Sequence, residues 1–116
     1  MSKDSAGVFV SALLHSSTAA HFLHLSTKSY AEHKALGAYY DGILDLTDSF
    51  TEKYFGRNGR VELVIPEAKR LDASTHLKEL RAVMEAERDN YSSDLQNIMD
   101  EMIGLVNETL YLLTLV

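Results

Sequence analysis

Cysteine is absent from all 116 residues, so neither a disulfide framework nor a thiolate metal site is available to this chain. A chain without thiols suits a reducing compartment, and a cytoplasmic location is the expectation. Proline occurs once, at Pro66. Long stretches on either side therefore lack the residue that most strongly interrupts a helix. A basic arm is also missing: the 11 lysines and arginines are scattered, acids number 17, and the formal net charge is −6. Nucleic-acid binding draws most of its affinity from Lys and Arg set against phosphates, so direct DNA binding is not expected. No run approaches the roughly 18 apolar residues that a membrane helix needs, so no membrane partner is expected. The N-terminal stretch, Lys3, Asp4 and then Gly7 to Leu14, lacks the basic start and long apolar run of a secretory signal. Leu110 to Val116 is apolar but too short to span, and should pack at the end of a core or in a subunit contact.

Residues of the hydrophobic class make up 46% of the chain, enough for one domain (residues 1–116) around one core. The pattern is helical almost throughout. A first helix is expected from about Ala6 to Leu25, capped by Asp4 or Ser5, with Val10, Leu13, Ser17, Ala20, His21 and His24 at three- and four-residue spacing. A second begins at Ser29-Tyr-Ala-Glu32, the pattern of a capping box. It should run to about Phe55 and stop at Gly56, as a glycine can take the left-handed position beyond a helix end. Residues 57–71 are irregular, with Asn58-Gly59 as a turn signal, a strand-like look from Arg60 to Ile65, and Pro66 as a breaker. A third helix follows from about Asp72 to Asp89. After a turn over Asn90 to Ser93, a fourth starts near Asp94, with a regular apolar seam of Leu95, Met99, Met102, Val106, Leu110 and Leu113.

Link lengths then indicate topology. Short links join the first helix to the second and the third to the fourth, which makes antiparallel pairs. The middle link, about fifteen residues, is long enough to cross the bundle. Short, long, short is the connectivity of ferritin-like bundles, whereas up-down bundles use three short links. The expected fold class is therefore all-α, a ferritin-like four-helix bundle with one long crossover between the second and third helices.

On a helical projection of the second helix, Asp41, Asp45, Asp48 and Glu52 fall in one stripe beside the apolar arc. Such a stripe is commonly a solvated face. Asp48 and Glu52, one turn apart, have the spacing to share a cation, and carboxylates with imidazoles are what iron(II) and similar divalent ions accept. His33 precedes Asp48 by fifteen residues, about 22 Å along a helix, and cannot reach the same ion within one chain. Two second helices packed antiparallel across a twofold axis near Asp41 and Gly42 would bring each His33 beside the partner copy's acids. Ala38, Gly42 and Ser49 are small enough to allow the approach. An isologous dimer of this kind carries two identical sites.

The fifteen-and-four spacing of His33, Asp48 and Glu52 resembles that of the Dps mini-ferritins. That family also carries a histidine near the end of the first helix. His24 occupies that place here, nine residues before His33 where the family has about twelve, with His21 one turn earlier as the alternative. The stretch from His24 to Leu36, with Asn97-Ile-Met-Asp-Glu-Met later, is similar over nearly the whole chain to small Dps-like phage proteins. Departures from the mini-ferritins include Leu25 in place of their tryptophan and the lack of a basic tail.

The resemblance implies an iron-binding protein with a ferroxidase-type site between subunits, built from His24, His33, Asp48 and Glu52. It also implies a homo-oligomer, at least a dimer. Asp100 and Glu101 are a further acidic pair, read as solvated, and His15 and His76 read as surface residues. The alternative function is a non-catalytic helical adaptor, such as a phage protein that binds a host protein.

Overall fold

The computed structural model describes residues 3–65 and 72–115, which form four helices and, among those residues, no strand. They are α1 (Lys3–Ser26), α2 (Tyr30–Asn58), α3 (Ala73–Glu87) and α4 (Ser93–Leu112), with a 3-10 turn at Arg88–Asn90. The expected all-α bundle is therefore present. Pro66 lies outside the described residues.

Helix ends follow local chemistry. Ser29 caps α2, its hydroxyl accepting the Glu32 amide at 3.2 Å. The reciprocal half of the capping box is not made, because the Ser29 amide donates instead to Thr27 Oγ1 at 3.1 Å. Asp72 caps α3 by accepting the Thr75 amide at 2.8 Å and the Thr75 hydroxyl at 2.9 Å. These bonds hold the Asp72 carboxyl below its usual range. The stop of α2 departs from expectation. Gly56 stays helical and the chain turns at Gly59, whose φ is 89° and whose amide reaches the Phe55 carbonyl. Asn58 keeps helical geometry and bonds back to the Tyr54 carbonyl, so the positive-φ position falls to the next glycine.

Cross-helix contacts establish the directions. Phe9 meets Phe50 at one end of the α1–α2 pair and His24 meets His33 at the other. Arg81 pairs with Asn107, and Arg88 with Asp100, so α3 and α4 are antiparallel. Arg57 reaches Asp94 while Gly42 lies against Leu105, so α2 and α4 are antiparallel too. Helix α1 packs on α2 and α3, and α4 packs on the same two. Among the described residues, α2 and α3 do not touch. They stand diagonally across the bundle, as the long crossover requires.

The crossover leaves the foot of α2 and climbs α1. The Glu62 carbonyl lies against Gly7, and the Val64 amide donates to Ser11 Oγ at 2.8 Å. Ser11 in turn donates to the Gly7 carbonyl. Between the helices sits a core whose foot is aromatic: Phe9, Phe50, Tyr54 and Tyr91 pack with ring centroids 5.1–6.4 Å apart. Above them lie Leu13, Leu36, Ile43, Met84, Met99 and Met102, all fully buried.

Three helical glycines should respond oppositely to alanine. A Cβ at Gly7 would overlap the Glu62 carbonyl oxygen, whereas nothing lies within 4 Å of one at Gly56 or Gly104. Gly7→Ala should cost about 1–3 kcal/mol, as overpacking does. Gly56→Ala and Gly104→Ala should each stabilise by about 0.5–1 kcal/mol, the difference between the two residues in a helix. Urea denaturation of the three variants checks the signs.

Candidate metal centre

The end of α1 and the start of α2 bring His24 and His33 together. Their rings stack at 3.8 Å between centroids with planes 16° apart. Each ring is tied to the other's backbone: His24 Nδ1 lies 2.5 Å from the His33 carbonyl, and His33 Nδ1 lies 2.9 Å from the His24 carbonyl. A carbonyl only accepts, so both Nδ1 atoms carry hydrogen. In the neutral rings both Nε2 atoms then hold lone pairs. Anchoring of Nδ1–H on a backbone carbonyl is the arrangement that orients histidines whose Nε2 binds a metal. The His24 carbonyl is also one of the four at the α1 C-terminus that have no helical partner, so the bond serves as a cap.

Two further residues shape this corner. Gly37 leaves room for the His24 ring, since a Cβ there would come 3.0 Å from Cε1 and 3.2 Å from Nδ1. Tyr40 stands edge-on to His24 at 5.4 Å and stacks on His21 at 4.1 Å, with planes 7° apart. Of the two α1 histidines weighed from sequence, His24 is thus the one paired with His33, and His21 is engaged by Tyr40. The part of Gly37 had no signal in the sequence beyond a small residue four positions after His33.

Asp48 and Glu52 lie elsewhere on α2. With Asp45, Ser49 and Lys53 they line a shallow open depression on its exposed face. Helix α2 is continuous from Tyr30 to Asn58, so the fifteen residues from His33 to Asp48 span about 22 Å. Within one chain, no group of three or more His, Asp or Glu side chains among the described residues is placed to hold a metal ion. The histidine pair and the acid pair are separate within one chain.

Several sequence expectations need correction. Gly42 does not face outward: a Cβ there would meet Leu105 Cδ2 at 2.9 Å, so this glycine serves the α2–α4 contact. Ala38 is exposed, while the Ser49 hydroxyl accepts from Lys53 Nζ at 2.7 Å. Asp100 lies on the bundle surface, as its reading as solvated expected, and is held there by Arg88 through two bonds of 2.7 and 3.0 Å. The Arg88 guanidinium holds the Asp100 carboxyl below its usual range.

His76 is not an ordinary surface residue either. Its Nε2 lies 2.9 Å from Ser16 Oγ, which lies 2.7 Å from the hydroxyl of fully buried Tyr39. Burial pushes the Tyr39 phenol upward, so it keeps its proton. Both hydroxyl protons are used only if Tyr39 donates to Ser16 and Ser16 donates to a neutral His76. The sequence showed three polar residues on three helices, and nothing in their spacing linked them.

Comparison with known proteins adds relatives. The model of a family of unknown function, DUF5856, matches residues 24–113. The chain belongs to the DUF5856 family. The matched span begins at His24 and holds His33, Asp48 and Glu52 as well. An uncharacterised 14.6 kDa protein from the mobD–ri intergenic region of Enterobacteria phage T4 is 33% identical over 99 residues, covering 82% of this chain and 77% of its own length. No solved structure matches. For this DUF5856 chain the comparisons therefore supply kinship with a phage protein and no activity.

Two outcomes test the local geometry. Burial lowers the His76 pKa from its ordinary value of 6.5, with His15 adding to the effect. The unfolded chain then binds a proton that the folded chain refuses. Stability should fall as pH drops through 6.5 and level off below the folded pKa. His76→Gln should flatten that part of a melting-temperature profile. Separately, Gly37→Ala should push the His24 ring off its stack, seen as shifted His24 and His33 ring resonances in NMR spectra while the helical circular dichroism is unchanged.

Proposed function

We propose that this protein binds divalent iron between two copies of itself and promotes its oxidation. Each site would combine His24 and His33 of one chain with Asp48 and Glu52 of the other. The observation that carries the reading is the reciprocal anchoring of His24 and His33, which orients two imidazoles with both Nε2 lone pairs free. Two nitrogen donors leave a cation under-coordinated, and the acid pair of a second chain would supply hard oxygen ligands of the kind iron(II) accepts. Antiparallel pairing of two α2 helices places each histidine pair beside the opposing acids, since the same roughly 22 Å offset runs in opposite directions on the two helices. That pairing needs no small-residue seam at Gly42, which the α2–α4 contact already uses.

Iron(II) is the substrate here. With hydrogen peroxide as oxidant, two iron(II) ions give up one electron each, the O–O bond breaks, and two protons complete two water molecules. The chain's part is to hold the ions and to orient the two imidazoles through their bonds to backbone carbonyls. Tyr40, edge-on to His24, packs the ring in place.

Complementation tests the shared site. His33→Ala and Glu52→Ala homodimers should each bind and oxidise iron poorly, since both of their sites are damaged. A mixed dimer has one site with both lesions and one intact site. Purified mixed dimers should recover about half the wild-type iron oxidation, which no within-chain site would allow. Mixed dimers as inactive as both parents, or wild-type protein that takes up no iron, would leave the metal-free helical adaptor as the reading to adopt. In the same preparations iron(II) should raise the wild-type melting temperature, because a ligand of the assembled form stabilises it by mass action. Asp48→Asn with Glu52→Gln should abolish that rise.

A further inference from the structure

We propose that His76 is an acid-operated latch: while neutral it ties the first half of α3 to α1, and on protonation it lets that half open. Three polar groups from three helices share two hydrogen bonds, Tyr39 with Ser16 at 2.7 Å and Ser16 with His76 Nε2 at 2.9 Å. Ser16 and Tyr39 are fully buried, and neither has another side-chain hydrogen bond among the described residues. With Nε2 unprotonated, two hydroxyl protons fill two bonds. A proton added at Nε2 makes three donors for the same two bonds. His76 would then donate to Ser16, and a hydroxyl proton of Ser16 or Tyr39 would lie in the core without an acceptor. Such a donor has lost its hydration for nothing in return. Tyr39 cannot relieve this by ionising, since burial pushes its phenol upward.

Little around the ring offsets the added charge. Helix α1 has no Asp, Glu, Lys or Arg from Ser5 to Thr27. Over Ser5–Ser26 it is apolar enough to meet the composition of a membrane span, against the reading from the sequence. Its titratable group beside His76 is His15, with ring centroids 6.5 Å apart, and a like charge there opposes protonation. Helix α2 contributes only the Tyr39 phenol, through Ser16. Among the described residues no group of α4 acts on the ring, and Glu79, one turn along α3, is the carboxylate that favours its charged form. Glu79 moves with α3, so it does not hold the imidazolium against α1.

The opening falls on α3 because of where its ties lie. His76 is in the first turns of the helix, and its bond to Ser16 is the one side-chain hydrogen bond between α1 and α3 among the described residues. The polar ties to α4, Arg81 to Asn107 and Arg88 to Asp100, come further along. Releasing His76 therefore frees the start of α3, with Leu77, while its far end stays fixed.

Native-state hydrogen exchange of the full chain tests the latch at pH 7.5 and 5.5, with rates expressed as protection factors so that the pH dependence of exchange itself cancels. The His76 pKa lies below its ordinary 6.5 in the closed form, so opening takes up a proton and grows as pH falls through 6.5. Protection of the Leu77 and Leu80 amides should fall about five- to tenfold between the two conditions, tenfold per pH unit being the limit for one proton. At pH 5.5 both should remain at least about tenfold less protected than Ile43 and Thr47 of α2, which marks an opening of α3 by itself. His76→Gln, which still offers Ser16 an acceptor but takes up no proton, should abolish the fall. Nitrogen-15 shifts of the wild-type ring at pH 7.5 should place its proton on Nδ1, a readout that does not depend on the variant. Protection of α3 that is the same at both pH values overturns the proposal. So does equal protection of α2 and α3, a fall that persists in His76→Gln, or a neutral ring protonated at Nε2.

Discussion

The crossover can lie against α1 because residue 7 has no side chain. With Gly7 beneath it, the Glu62 carbonyl rests on the helix backbone, and Ser11 takes the Val64 amide one turn further on. These contacts start the chain up the side of α1. From there α3 runs down beside α1, and α4 returns between α3 and α2. Diagonal placement of α2 and α3 follows, as does an exposed outer face on α2. Had the link been short, α3 would have packed beside α2 and covered one of its flanks.

Polar contacts inside the bundle are few; the two histidine clusters are each satisfied by a specific tautomer, whereas Thr51 Oγ1 is buried without a partner. His24 and His33 bond reciprocally with backbone carbonyls, which closes the α1–α2 corner and fixes both rings in a stack. Tyr39, Ser16 and His76 form a chain that consumes every hydroxyl proton when His76 is neutral. Desolvation is the common cause: a buried or half-buried polar atom without a partner loses its hydration for nothing in return. The two histidine clusters differ in consequence. One presents free Nε2 atoms, and the other has its Nε2 occupied and serves to join α1, α2 and α3.

Surface charge is divided with similar clarity. Acids lie along α2, while α1 carries no formal charge between Asp4 and Lys28. A protein of net −6 repels its own copies through the acidic face unless a cation intervenes, and meets them without that penalty through the apolar one.

Local rules were enough to read much of this from the residues. Ser29 and Asp72 announce helix starts because short side chains with an acceptor oxygen satisfy free amides. The seam of α4 announces a buried face, and three link lengths announce the crossover. The spacing of His33, Asp48 and Glu52 placed them too far apart on one helix to share an ion within a chain. Tertiary structure decided the rest. Gly59 and not Gly56 ends α2, because Asn58 can bond back to Tyr54 and prolong the helix. Gly42 serves Leu105, and Gly37 serves His24, although both are merely small residues in the sequence. His76 joins Ser16 and Tyr39 across three helices. Periodicity records only which side of a helix is apolar. Which partner a given side chain meets depends on how helices distant in sequence are set against one another, and that information exists only once the chain has folded.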